Sequence, residues 1–320
     1  MRARLEPLVV LIVAALVLGL VLPAHGTVAV LLDRLVVVAV MVLFFLYGAR
    51  LTTSQVLDGV RAWKLQGSML AATYLVFPAL GLAAQLLPDA VLAPSLRTGL
   101  LYLTLLPSTV QSSVVLTSIA RGNVAGAVTG ATVSNVLGIV VTPLLVVVLL
   151  GGQGVVGSGG VLRTLGMLLV PFLLGQVAGR WIGPWLRAHR RVTKVSDQST
   201  IVLVAYVAVS AATVSGTWDE VTVVSLLGLL VVSAALLAIM LGLTWVAGGW
   251  WGMDRADRVA LLMCGSKKSL ATGLPMAAIL LPATMAATVA LPVVIFHQMQ
   301  IIVCAALARR LARGTTEPAA

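Results

Sequence analysis

Ten apolar runs, separated by short links that hold most of the charge, constrain this 320-residue chain more than any other feature. A helix needs about 20 mostly apolar residues to cross the hydrocarbon layer of a bilayer. Pro, Gly and charged residues punctuate the runs and predict helices near 7–24, 30–49, 65–87, 96–120, 123–150, 161–180, 198–216, 221–249, 256–281 and 284–309. The chain is 60% hydrophobic and only 10% charged, where a soluble domain carries roughly a quarter charged residues. At a mean hydropathy of +1.10, no water-soluble fold of this length could bury so much apolar side chain. The expected fold class is an all-α membrane protein of about ten transmembrane helices, with no soluble domain.

The net charge of +11 would suggest nucleic acid in a soluble protein, but these cations stand singly or in small clusters between apolar runs, as topology determinants do. The partner they imply is the lipid bilayer and not nucleic acid. With a cytoplasmic N-terminus, the inside segments collect 16 of the 21 cations, and the outside segments collect only Arg34, Arg97 and Arg163. Lys267 and Lys268 fall within a run. One missed helix would invert every later link, so this bias places both termini in the cytoplasm of a multi-pass protein of a bacterial inner (cell) membrane. Arg2 and Arg4 before an apolar run to Pro23 imitate a secretory signal, with Ala24-His25-Gly26 as a cleavage site. The topology requires that run to be kept as the first helix. Arg187, Arg190, Arg191 and Lys194 mark the longest polar connection, an anchor for the anionic leaflet between the sixth and seventh helices. Cys264 and Cys304 lie inside apolar runs with no spacing that suggests a metal clip or disulfide.

Glycines at 151, 152, 154, 157, 159 and 160 divide the chain into residues 1–150 and 151–320, five helices each. Because five is odd, the second set is inverted relative to the first. In inverted repeats, corresponding helices are broken near the midplane, and solutes and ions bind at the breaks. The fourth and ninth runs fit. The fourth holds Pro107-Ser108-Thr109-Val110-Gln111-Ser112-Ser113, and the ninth holds Cys264-Gly265-Ser266-Lys267-Lys268-Ser269 with Gly273 and Pro275 beyond. An unwound turn in lipid exposes N–H and C=O groups that must find partners or coordinate a ligand.

Lys267 and Lys268 lie about ten residues inside the ninth run, some 15 Å from its cytoplasmic end at 1.5 Å per residue. Each ammonium at a helix centre costs about 3 kcal/mol on the insertion scale, so the fold must solvate them. One of them either attracts an anionic solute or puts its own charge where a bound cation could sit. The tenth run carries His297, Gln298 and Gln300 near its middle. His297 reads as an interhelical hydrogen bonder or as a proton carrier. The fifth run adds Thr129, Thr132, Ser134 and Asn135 before Thr142-Pro143, and in a hairpin Ser134 and Asn135 fall near the fourth-run break. Helix packing through small residues is the plain alternative for all four.

At these positions the sequence resembles the bile acid:sodium symporter superfamily, most closely the subgroup related to the divergent seventh member of the human solute carrier family 10. The resemblance covers nearly the whole chain. It rests on Phe44-Phe45-Leu46-Tyr47-Gly48-Ala49-Arg50-Leu51, on Thr117-Ser118-Ile119-Ala120-Arg121-Gly122-Asn123-Val124-Ala125 and on Ser134-Asn135 with Thr142-Pro143. Cys264-Gly265-Ser266-Lys267-Lys268-Ser269-Leu270 and Phe296-His297-Gln298-Met299-Gln300 complete it.

The resemblance implies a panel of helices one, two, six and seven and a core of helices three, four, five, eight, nine and ten. It also implies crossing broken helices four and nine, sodium sites beside the crossover, and alternating access. Symporters of the superfamily supply a glutamate and, four residues on, a glutamine from the ninth helix to sodium; the matching positions here are Cys264 and Lys268. A carboxylate is lost and an ammonium gained, so Lys268 is expected to stand in for the ion. Ser112, Ser113, Ser134 and Asn135 remain as a possible Na+ site, and proton coupling through Lys268 or His297 is the alternative. No other cofactor is expected.

The function this implies is secondary transport of a small organic anion, coupled to Na+ or H+. The alternative is a membrane regulator or scaffold that keeps the fold without transport. An enzyme is not expected: the runs contain no paired carboxylates, no His-Glu-x-x-His arrangement and no serine with a His or Asp partner.

Overall fold

In the computed structural model, residues 7–50, 62–151, 158–216, 218 and 222–313 are described. Every regular element among them is helical: α1 (Pro7–Val21), α2 (Gly26–Arg50), α3 (Trp63–Ala84), α4 (Pro94–Leu105), α5 (Gln111–Ile119) and α6 (Val124–Leu150). There follow α7 (Ser158–Ala188), α8 (Arg190–Ser215), α9 (Val223–Trp250), α10 (Arg255–Gly265), α11 (Leu270–Leu280) and α12 (Ala283–Arg313). Seven helices among the described residues are long and apolar enough to cross a membrane, so the chain is an integral, multi-pass membrane protein. Helices α4, α5, α10 and α11 hold 12, 9, 11 and 11 residues. At 1.5 Å per residue none reaches the roughly 30 Å of a hydrocarbon core.

The fourth predicted run, 96–120, is therefore two helices with residues 106–110 between them, and the ninth, 256–281, is two helices with 266–269 between them. One expectation is corrected. The polar connection around Arg187 to Lys194 is not a loop: α7 runs to Ala188, α8 starts at Arg190, and only His189 separates them. Arg and Lys are good helix formers, so charge at a helix end moves the chain into water without ending the helix. His189 stacks on Trp185, with ring centroids 4.4 Å apart, and its Nδ1 lies 2.9 Å from the Trp185 carbonyl. Arg2, Arg4, Arg61, Gly152, Gly154 and Gly157 lie outside the described residues.

The chain forms two compact units. One comprises residues 1–51, 146–222 and 274–291 and contains α1, α2, α7 and α8. Its α2–α7 contact is a stripe of small residues. Gly175, Gly179 and Gly183 sit four apart on α7, and a Cβ at either of the last two would lie 2.8 Å from the Ala49 carbonyl oxygen. Glycine there lets the backbones touch, and Gln176 Nε2 donates to the Gly48 carbonyl at 2.5 Å.

The other unit comprises residues 52–145, 223–273 and 292–320. Helix α10 lies at its centre, where all seven residues from Val259 to Gly265 are buried. Ala260, Leu261 and Cys264 pack on Leu65, Met69, Ala127 and Ala131, while Val259, Leu262 and Met263 pack on Leu116, Ala120, Cys304 and Ala308. A stretch apolar on every face, as residues 259–265 are, suits such enclosure. Its start is fixed by polar contacts. Asp254 caps it by accepting from Asp257 N at 2.8 Å, Asn123 Nδ2 donates to Asp257 Oδ1 at 2.7 Å, and Arg255 donates to the Leu311 carbonyl at 2.6 Å.

Candidate functional site

Pro107 has no amide hydrogen and holds Leu106 in an extended conformation (φ −74°, ψ 154°), which ends α4. The carbonyls left over find specific partners. Leu105 O accepts from Thr142 Oγ1 at 2.8 Å, Pro107 O from Ser269 N at 2.8 Å, and Ser108 O from Asn135 Nδ2 at 2.7 Å. Ser108 N donates to Ser134 Oγ at 3.1 Å. Ser134 and Asn135 thus clamp both backbone groups of one residue in the break.

The α10–α11 interruption is satisfied in the same way. Its α10 end presents carbonyls to hydroxyls: Ser108 Oγ donates to Cys264 O at 2.6 Å, Ser113 Oγ to Met263 O at 3.0 Å and Ser266 Oγ to Leu262 O at 2.6 Å. On the α11 side, Ser269 Oγ accepts from Thr272 N at 3.3 Å, and Tyr102 OH donates to Gly273 O at 2.7 Å. The Gln300 side chain reads Lys268 as a sheet neighbour would: Lys268 N donates to Gln300 Oε1 and Gln300 Nε2 to Lys268 O, both at 2.8 Å. Gln300 Nε2 also lies 2.9 Å from His297 Nδ1, which draws the imidazole into the same network.

The Lys268 side chain, 1% exposed, ends in a cradle of three carbonyl oxygens: Thr73 at 2.8 Å, Thr104 at 2.7 Å and Leu106 at 2.7 Å. Its Nζ lies 4.2 Å from the Phe77 ring centroid and 6.0 Å from that of Tyr74. An ammonium has three donors, and each has its acceptor here. Two of the oxygens are freed by the end of α4. The third comes from a π turn at Ala72–Val76 in α3, where Phe77 N donates five residues back to Ala72 O. In that register Thr73 O would take the amide of residue 78, which is Pro78 and has none. Lys267, 0% exposed, differs sharply, for its Nζ has no hydrogen-bond partner among the described residues.

Of the other expected residues, Thr109 Oγ1 and Ser113 Oγ lie 2.8 Å apart, and Ser112 Oγ donates to Thr109 Oγ1 at 2.9 Å. Gln111 is exposed, Thr132 is half-buried on α6, and Gln298 is half-buried on α12 one residue beyond His297. Sequence reading did not single out Thr73, Thr104, Leu106, Phe77 or Tyr102. All but Phe77 enter through a carbonyl or a single hydroxyl; Pro78 inside an apolar run was the one signal available.

A monovalent cation beside a charged Lys268 would be opposed by its ammonium. At about 4 Å it would meet a repulsion of roughly 4 kcal/mol even at an effective dielectric constant near 20, and Cys264 offers no carboxylate to offset it. Among the described residues, no group of three or more His, Cys, Asp or Glu lies together to bind a multivalent metal.

Two interrupted segments joined at a polar centre in an all-helical multi-pass chain are the arrangement that secondary transporters use to bind solutes and ions. The chain is 43% identical to PA2026 of Pseudomonas aeruginosa over 97% of its length and 93% of that protein's. It is 39% identical to YfeH of Escherichia coli, described as a candidate symporter, over 98% and 95% of the two chains. Sodium/bile acid cotransporter 7 of Rattus norvegicus is 30% identical over 83% and 79%. Residues 6–313 match the SBF-like CPA transporter family, and the chain belongs to that family. It is a transporter of a small solute in a lipid environment, not an enzyme.

Proposed function

We propose that the protein is a secondary active transporter that moves a small organic anion by alternating access across a bacterial inner membrane, with both termini cytoplasmic. In this reading residues 1–150 and 151–320 are inverted five-helix repeats, with α4–α5 and α10–α11 as the paired broken helices. The grouping of α1, α2, α7 and α8 in one compact unit supports a panel that moves as a body.

The observation that carries the proposal is the carbonyl cradle around Lys268. The ammonium does the work of a bound cation, cross-linking α3, the end of α4 and the α10–α11 break. Loss of one proton leaves two donors and a lone pair, so one of the three carbonyls would lose its partner and the crossover would loosen. Coupling therefore runs through protonation of Lys268, with no Na+ step. The side chains of Ser112, Ser113, Ser134 and Asn135, the alternative sodium ligands, are already engaged: Ser112 with Thr109, Ser113 with the Met263 carbonyl, and Ser134 and Asn135 with the backbone of Ser108.

The test is uptake into proteoliposomes of a panel of sterol-derived and keto-acid anions. Uptake should follow a proton gradient, persist when choline replaces Na+, and fail in Lys268→Met. Sodium-dependent uptake that survives Lys268→Ala and is abolished by Ser113→Ala would overturn the proposal. The completeness of the cradle also favours a second reading, a non-transporting scaffold locked at this crossover. That reading predicts no uptake from folded, stable protein.

A further inference from the structure

Two adjacent ammonium groups lie in one break, and only one is compensated. Lys268 spends all three donors on carbonyls, whereas Lys267 Nζ is fully buried and has no partner among the described residues. The groups that interact electrostatically with Lys267 are the thiols of Cys264 and Cys304 and the ring of His297. The Ser113 hydroxyl lies against the Cys264 thiol and the Ser266 hydroxyl against that of Cys304. None of these carries a negative charge to meet the ammonium.

The carboxylates that this unit does possess among its described residues are committed elsewhere. Asp89 pairs with Arg97, Asp254 caps α10, and Asp257 bonds to Asn123. Asp257 lies ten residues before Lys267, about 15 Å away along a helix. A buried ammonium stays charged only when paired, and the described residues of this unit offer no counter-ion at this depth. Lys267 also stands three residues ahead of the first turn of α11, whose N-terminus adds partial positive charge.

We infer that Lys267 forms an anion site that takes the single negative group of a compact monoanion, either a free halide or the carboxylate of the transported solute. Among the groups described around Lys267 the ammonium is the strong donor, since the Ser113 and Ser266 hydroxyls already donate to Met263 O and Leu262 O; one such donor suits a monoanion, whereas a phosphate or sulfate dianion would call for guanidinium forks or a run of backbone amides. The site rests on the transporter reading only for the identity of the solute, because binding itself needs no turnover.

The experiment is thermal unfolding of the purified full-length protein in detergent, with Na+ and ionic strength held constant. Chloride, acetate or benzoate is titrated against gluconate in wild type, Lys267→Met and Lys267→Arg. Wild type should show a saturable rise of roughly 3–5 °C, Lys267→Met none, and Lys267→Arg a rise with a shifted midpoint. Lys267→Met in gluconate should also melt above wild type, since it removes an uncompensated charge. A response to chloride marks a free-ion site and a response to carboxylates alone marks the solute's head group; either supports the inference. A wild type indifferent to every anion, or a Lys267→Met that responds as wild type does, overturns it. Failure of transport alone leaves it standing, because the readout involves no uptake.

Discussion

Neighbouring residues of one type can carry opposite burdens. Lys268→Met keeps the length of the side chain but leaves Thr73 O, Thr104 O and Leu106 O without their donor. At about 1–3 kcal/mol per buried unpaired group, partly recovered by relaxation, the variant should lose roughly 3 kcal/mol of stability. A thermal melt in detergent measures this, and a loss below about 1 kcal/mol would count against the cradle. Tyr102→Phe should cost about 1–2 kcal/mol in the same assay, since it strips the donor from Gly273 O while leaving the buried ring in place. That Lys267 and Lys268 matter was legible in the sequence, because two ammonium groups in an apolar run demand an explanation. Which of the two is satisfied was not. Every acceptor of Lys268 Nζ is a backbone carbonyl 162 to 195 residues away, and carbonyls leave no trace in composition.

Interruptions in helices here are built rather than tolerated. Replacing proline inside a regular helix restores a hydrogen bond and relieves a clash worth about 3 kcal/mol. In α3 the opposite holds: the π turn and Pro78 keep Thr73 O open for Lys268. Pro78→Ala would offer that carbonyl an amide, so it should be neutral or destabilising. A gain of more than about 1 kcal/mol on thermal unfolding would mean that the turn serves no purpose. Run 65–87 read as an ordinary helix because apolar periodicity does not distinguish a π turn from an α turn. Breaks four and nine were legible because proline or glycine stands beside a cluster of hydroxyls. The α2–α7 contact makes a matching case. Gly179→Leu should abolish recovery of folded protein, while Gly166→Leu, whose Cβ meets nothing within 4 Å, should be tolerated. Size-exclusion profiles of the two variants decide the point.

The architecture of the molecule as a whole follows from a chain that must satisfy every backbone polar group without water. That requirement, with 60% hydrophobic residues, made helical membrane segments legible from composition alone. Grouping of α1, α2, α7 and α8 into one unit depends on contacts between distant segments such as Gly48 with Gln176, and no periodicity shows those. The proposed topology, argued from the bias of 16 inside cations against three, puts the C-terminus in the cytoplasm. A green fluorescent protein fused there should be bright and an alkaline phosphatase fusion inactive; the reverse pattern would invert the topology. Above all, in the proposed mechanism Lys268 supplies the coupling cation from the chain itself. Sodium titration of the purified protein by calorimetry tests that most directly. Wild type should give no saturable heat, and Lys268→Ala should gain one as Na+ enters the three-carbonyl cradle. Saturable sodium binding to wild type, with none gained in Lys268→Ala, would contradict the claim.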